Sequence, residues 1–170
     1  MDKKNKIILI TVVILIILGG GGYMMYSKNR GCVPPEYEYS KVVNEKFVVK
    51  TTEGYESEVV NLSQIEDFMK NVSKKNKDNL SIIEYMKKGK ILKVSSLMKL
   101  DFDGESIKIT YFNVDNEKKF KEDKTETYEK IVKTGDNTSS KIVALKDSLQ
   151  SPLDGEVLLT YQQSNVKEYK

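Results

Sequence analysis

Residues 61–111 read NLSQIEDFMKNVSKKNKDNLSIIEYMKKGKILKVSSLMKLDFDGESIKITY, and the change of period inside them sets the expected fold. Leu62, Ile65, Phe68/Met69 and Val72 recur at spacings of three and four, the stripe of an amphipathic helix facing a core. Ser63 followed by Glu66 has capping-box spacing, and Asp67 adds negative charge to the first turn. Lys70, Lys74 and Lys75 lie towards the other end, where cations suit the helix dipole. Beyond Lys77 the period becomes two. Leu80–Met86 predicts a strand that turns at Lys87-Lys88-Gly89-Lys90. In Ile91–Leu100, Leu92, Val94, Met98 and Leu100 fall on one face, opposite Lys93, Ser95 and Lys99. Asp103-Gly104 is a type I′ hairpin signal, after which Ile107, Ile109 and Tyr111 line the next strand.

Outward from this stretch the signals weaken. Residues 115–127, DNEKKFKEDKTET, read as a charged exposed loop. Tyr128–Lys133 and Lys141–Leu145 flank Gly135-Asp136-Asn137, a second hairpin candidate. Val157–Tyr161 follows Pro152 and Asp154-Gly155 as an edge strand, and residues 164–170 form a polar tail. On the N-terminal side Phe47, Val48 and Val49 predict a short strand, and the domain starts near Lys41. The expected fold class is α+β: one amphipathic helix packed on an antiparallel β-meander over residues 41–163, preceded by a single N-terminal transmembrane helix.

Residues 28–40, KNRGCVPPEYEYS, read as an extended linker, because Pro34 and Pro35 fix their own φ and push the preceding residue out of the α region. Before it, Ile7–Ser27 is uncharged over 21 residues. As a helix it would span roughly 31 Å, against a hydrocarbon core of about 30 Å. Residues 1–27 are thus expected to form a signal-anchor that holds the chain in the lipid bilayer through residues 7–26, with Tyr23 and Tyr26 at the outer interface. A cleaved signal peptide is the competing reading, with Ile7–Leu18 as its apolar region and Gly19–Gly22 as the small residues, although no A-x-A pattern is present. Lys3, Lys4 and Lys6 favour a cytoplasmic N-terminus and an extracytoplasmic domain, while Lys28, Arg30, Lys41 and Lys46 weaken that asymmetry. Cys32 lacks the aliphatic and small residues that precede a lipidated cysteine and reads as a free thiol, with an intermolecular disulfide as the alternative.

Composition excludes several chemistries. There is no histidine, and one cysteine permits neither an internal disulfide nor a multi-cysteine zinc site. Setting aside Asp2, Lys3, Lys4 and Lys6 leaves 25 basic against 24 acidic side chains, without the basic stripe of a nucleic-acid binder. Asp101, Asp103 and Glu105 lack the remaining ligands of a calcium loop and sit between strand patterns. Gly19–Gly22 neither follows a strand nor opens a helix, so it is no phosphate cradle. Asn61, Asn71 and Asn79 each begin a glycosylation triplet. No catalytic, cofactor-binding or metal residue is assigned from these patterns.

Val48-Val49, Asn61-Leu62 opening a helix with Phe68, Asn71 and Val72, then Lys77-Asp78, Ile82-Ile83-x-Tyr85 and Lys88-Gly89-Lys90-Ile91 form a recognisable series. With Asp103-Gly104-Glu105-x-Ile107, Thr110-Tyr111 and Lys130-Ile131, the stretch resembles the uncharacterised domain-of-unknown-function family four-three-six-two. Its members are mostly exported lipoproteins of Gram-positive bacteria, so the resemblance implies export and a fold and carries no activity. The chain departs from it at Tyr128, where members often carry cysteine, and at Lys88-Gly89-Lys90, where they carry an acidic Glu-Gly-Asp turn. The expected function is a membrane-tethered extracytoplasmic interaction or envelope-associated module. The alternatives are a hydrolase cutting an envelope polymer through an Asp/Glu pair and a regulatory subunit whose membrane segment pairs through Gly19–Gly22.

Overall fold

The structure is a computed structural model that describes residues 37–115 and 119–168. The α+β expectation of one helix on an antiparallel meander is corrected by it. Among the described residues the domain is mostly β, with ten strands in two sheets and only two short α-helices. Helix α1 (Tyr39–Asn44) leads into the hairpin β1 (Val48–Glu53) and β2 (Glu56–Val60). Helix α2 (Ser63–Ser73) then carries the chain across to β3 (Asp78–Lys88), which lies parallel to β1. Strands β4 (Ile91–Phe102), β5 (Ile107–Val114) and β6 (Phe120–Tyr128) continue antiparallel. A separate antiparallel sheet holds β7 (Lys130–Gly135), β8 (Ser139–Leu145) and β9 (Glu156–Gln162). Strand β10 (Val166–Lys167) returns to the outer side of β2, giving the large sheet the order β10-β2-β1-β3-β4-β5-β6.

Both faces of the large sheet are apolar where they are covered. On one, Val48, Ile82, Leu100, Ile107 and Ile109 form a cluster with Ile65 and Phe68 of α2 and with Ile131, Ile142, Leu159 and Tyr161 of the small sheet. On the other, Val49, Val60, Ile83, Tyr85 and Leu97 pack with Val42 and Val43 of α1. Two-sided burial explains the runs Val48-Val49, Val59-Val60 and Ile82-Ile83, in which consecutive side chains both find a core.

Three local expectations fail for identifiable reasons. Leu92, Val94, Met98 and Leu100 do not share a face. The β3–β4 register shifts at Glu84/Tyr85, so Val94 pairs with Tyr85 and Ser96 with Glu84, leaving Ser95 extra. One extra residue inverts the alternation: Leu92, Val94 and Leu97 face the α1 side, and Met98 and Leu100 the α2 side. The charged run expected as a loop over 115–127 is largely β6, an edge strand whose lysines and glutamates keep it from pairing with other chains. The polar tail is not free either, since Val166 and Lys167 pair with Val59 and Val60.

The expected linker also ends early. Tyr37 stacks edge-on against Phe120 with ring centroids 4.6 Å apart, and its carbonyl accepts from Tyr85 Oη at 2.6 Å. No described helix is long and apolar enough to cross a membrane, so the transmembrane and signal-anchor expectation gains nothing from the structure. The segment Ile7–Tyr26 on which it rests lies outside the described residues, as does Cys32.

Candidate functional site

Because β1 and β3 are parallel neighbours, both finish at the same end of the sheet, and the β1–β2 and β3–β4 turns lie side by side. Gly54 and Gly89, at φ 61° and 58°, make these turns in the left-handed region that favours glycine. Glu53 ties them together. One carboxylate oxygen accepts from the Gly89 backbone N–H at 3.1 Å and the other lies 2.9 Å from Lys87 Nζ. The Lys87 hydrogen bond, then the Gly89 amide, hold this carboxyl below the usual carboxylate range.

Between these turns, Tyr39 of α1 and the 3₁₀ turn Gln163–Asn165 lies an open cleft of about 870 Å³. Its outer wall is the C-terminal segment: Lys167 pairs with Glu58, and Asn165 Nδ2 donates to Ser57 O at 3.1 Å. Thr51 also lines the cleft, and its buried Oγ1 has no hydrogen-bond partner. Of the six charged side chains lining it, Glu53 and Lys87 form one ion pair and Glu58 and Lys167 another. Glu56 and Lys90 make no ion pair among the described residues, and each sits on a different hairpin.

A second polar group surrounds Tyr128. Its hydroxyl donates to Glu126 Oε2 at 2.6 Å and lies 3.2 Å from Tyr111 Oη. Lys124 and Lys146 each approach Glu126 to 3.4 Å. Burial first, then the Glu126 and Tyr111 contacts, push the Tyr128 phenol well above its ordinary range. The Tyr128 hydrogen bond holds Glu126 below its own. A phenol so strongly protonated is no base, and the cluster reads as a clasp on the β5–β6 edge.

The residues weighed in the sequence are not brought together. Asp103 Oδ1 accepts from the backbone N–H groups of Glu105 and Ser106, both at 2.9 Å, so the Asp-Gly turn consumes its carboxylate. No group of three acidic or cysteine side chains among the described residues is placed to hold a metal ion. Asn61 is buried, its amide bonded to Val43 O and Phe47 O, and so presents nothing to a glycosylating enzyme. Asp136 Oδ1 likewise serves the amides of Thr138 and Ser139 beside a smaller cleft of about 330 Å³. Glu53, Glu56 and Lys90 went unnoticed because their proximity depends on the parallel β1–β3 pairing, which has no local signature. No protein-family model, curated protein or solved structure matches the chain.

Proposed function

We propose that the chain is a non-enzymatic interaction module held at the outer face of the cell membrane through residues 7–26, and that it binds its ligand in the cleft between the two turns. The observation that carries the binding reading is the charge left over there. Two ion pairs close on themselves, while Glu56 and Lys90 line the same cleft and make no ion pair among the described residues. A carboxylate on one hairpin and an ammonium on the next fit a ligand carrying both charges, such as a peptide segment of an envelope polymer. The location is supported by the apolar run and its basic N-terminal flank.

The hydrolase alternative needs a carboxylic acid that keeps its proton near neutrality. Among the described residues the carboxyls that shift, Glu53, Asp103, Glu126 and Asp136, all shift downwards. That weighs towards binding.

Calorimetry of the detergent-solubilised full chain tests the reading, using cell-wall fragments with and without their peptides. Peptide-bearing fragments should bind, with at least a tenfold loss in Lys90→Glu. Equal behaviour of both fragments, or of wild type and variant, would remove the cleft from the account. Protease added to intact protoplasts should degrade the domain; complete protection would reverse the orientation.

A further inference from the structure

Residues 146–155, KDSLQSPLDG, join β8 to β9 and expose two leucines almost completely: Leu149 at 92% and Leu153 at 94%. Val157, just beyond, is 48% exposed. Apolar side chains this bare in a loose loop would mean little. This loop is fastened. Gln150 spans it, its Oε1 accepting from Lys146 N–H at 2.8 Å and its Nε2 donating to Asp154 O at 2.7 Å. Ser148 N–H donates to Glu129 Oε2 at 3.0 Å, and Leu149 N–H to Asp147 Oδ1 at 2.8 Å. Ser151 caps the 3₁₀ turn Pro152–Asp154 by accepting from Leu153 N–H. At Gly155 the loop lands hard on β8: a Cβ there would lie 2.4 Å from Val143 Cγ1 and 2.6 Å from Leu145 Cδ2. The leucines are therefore displayed on a frame whose ordering cost is met in folding rather than in binding.

The charge around them selects the partner. The loop and Glu129, which fastens it, carry three carboxylates and one ammonium. That ammonium, Lys146, already lies 3.4 Å from Glu126 Oε2. Membrane-inserting surfaces ring their apolar residues with lysine and arginine, and a loop with excess negative charge is repelled by an anionic leaflet. We propose that the 146–155 loop docks into a protein partner, through an apolar hollow that takes Leu149 and Leu153 and is rimmed by basic side chains. The surface is separate from the cleft, from which the seven residues of β9 divide it, a span of about 20 Å.

The test uses the full chain in its own cells, with a photoreactive benzoylphenylalanine replacing Leu149, Leu153 or, as control, Lys121. The 149 and 153 positions should capture one and the same protein, and 121 should not. That protein, purified, should bind wild type and lose at least tenfold in affinity for the double variant Leu149→Ser/Leu153→Ser. The complex should also weaken as salt is raised. Melting temperature checks that the variant is folded, and vesicles containing phosphatidylglycerol should bind wild type and variant to the same extent, through residues 7–26 alone. Adducts to lipid, leucine-dependent vesicle binding, adducts to a second copy of this chain, no adduct at all, or unchanged affinity of the purified partner would each overturn the proposal.

Discussion

Asn61 joins three parts of the fold at one position. Its backbone sits at φ 60°, its N–H donates to Lys167 O at 3.0 Å, and its amide group donates to Val43 O and Phe47 O. Asparagine tolerates the left-handed region better than other side chains, which here turns β2 into α2. Asn61→Ala should cost about 2–4 kcal/mol, from backbone strain and two orphaned carbonyls. Asn61→Gly should recover the backbone part alone, and urea denaturation would separate the two. Equal stability of both variants would mean the left-handed backbone carries no strain, and an Asn61→Gly variant as stable as wild type would mean the amide bonds contribute nothing. In sequence this residue looks like the first member of a glycosylation triplet; its role appears only once α1 and β10 are packed around it.

Glu53 gives a pH prediction at the same scale. Its pKa is lower folded than unfolded, so its contribution is present above the ordinary carboxylate range and lost as pH falls through the depressed value. Asp103, Glu126 and Asp136 are depressed too and act in the same direction. Melting temperature should therefore fall between about pH 5 and pH 2. Glu53→Gln should flatten part of that fall; a variant with the wild-type acid slope would show the pair to be energetically idle.

At the scale of elements, α2 shows what sequence periodicity carries and what it misses. The stripe placed the helix correctly, and Ile65 and Phe68 are buried as it requires. The cap was misread. Ser63 lies inside the helix, with Leu62 at the N-cap, and makes no capping box. Glu168, 105 residues away, supplies the acceptor instead: its carboxylate takes Ser63 N–H at 2.9 Å and Ser63 Oγ–H at 2.7 Å. A residue that distant leaves no local trace, whereas the positions of the Asp-Gly and Lys-Gly turns, being local, were legible. The type I′ expectation fails, because Asp103–Ser106 is a four-residue loop with Gly104 alone at positive φ. Phe68→Ala should cost about 3–5 kcal/mol, as truncations of buried aromatics do. Glu168→Ala should cost about 1 kcal/mol through the lost helix cap, where Ser63→Ala alone costs less. Chemical denaturation checks both, and the account of the cap fails if the order of the last two is reversed. The β6 strand was unreadable for another reason: an exposed edge strand carries charge on both faces and shows no alternation.

At the scale of the whole molecule, residues 37–168 share two apolar clusters, one on each face of the large sheet. A fragment of residues 37–168 should fold alone. Trimming it to 41–163 removes Tyr37, β10 and Glu168 and should lower the melting temperature by several degrees, because both sheet edge and helix cap are lost. Millimolar calcium or a chelator should leave the melting temperature of the 37–168 fragment unchanged, since Asp103 is spent on its own turn. A rise of several degrees with calcium would show a site at Asp101, Asp103 and Glu105. The parallel β1–β3 pairing, which creates the cleft, is the step that no local pattern announced. The most direct test of the central claim is an amide chemical-shift titration of the 37–168 fragment with peptide-bearing cell-wall fragments. The account predicts shifts confined to residues 51–58, 87–92 and 163–167, suppressed in Lys90→Glu; shifts centred on Tyr111 and Tyr128, with the cleft silent, would contradict it.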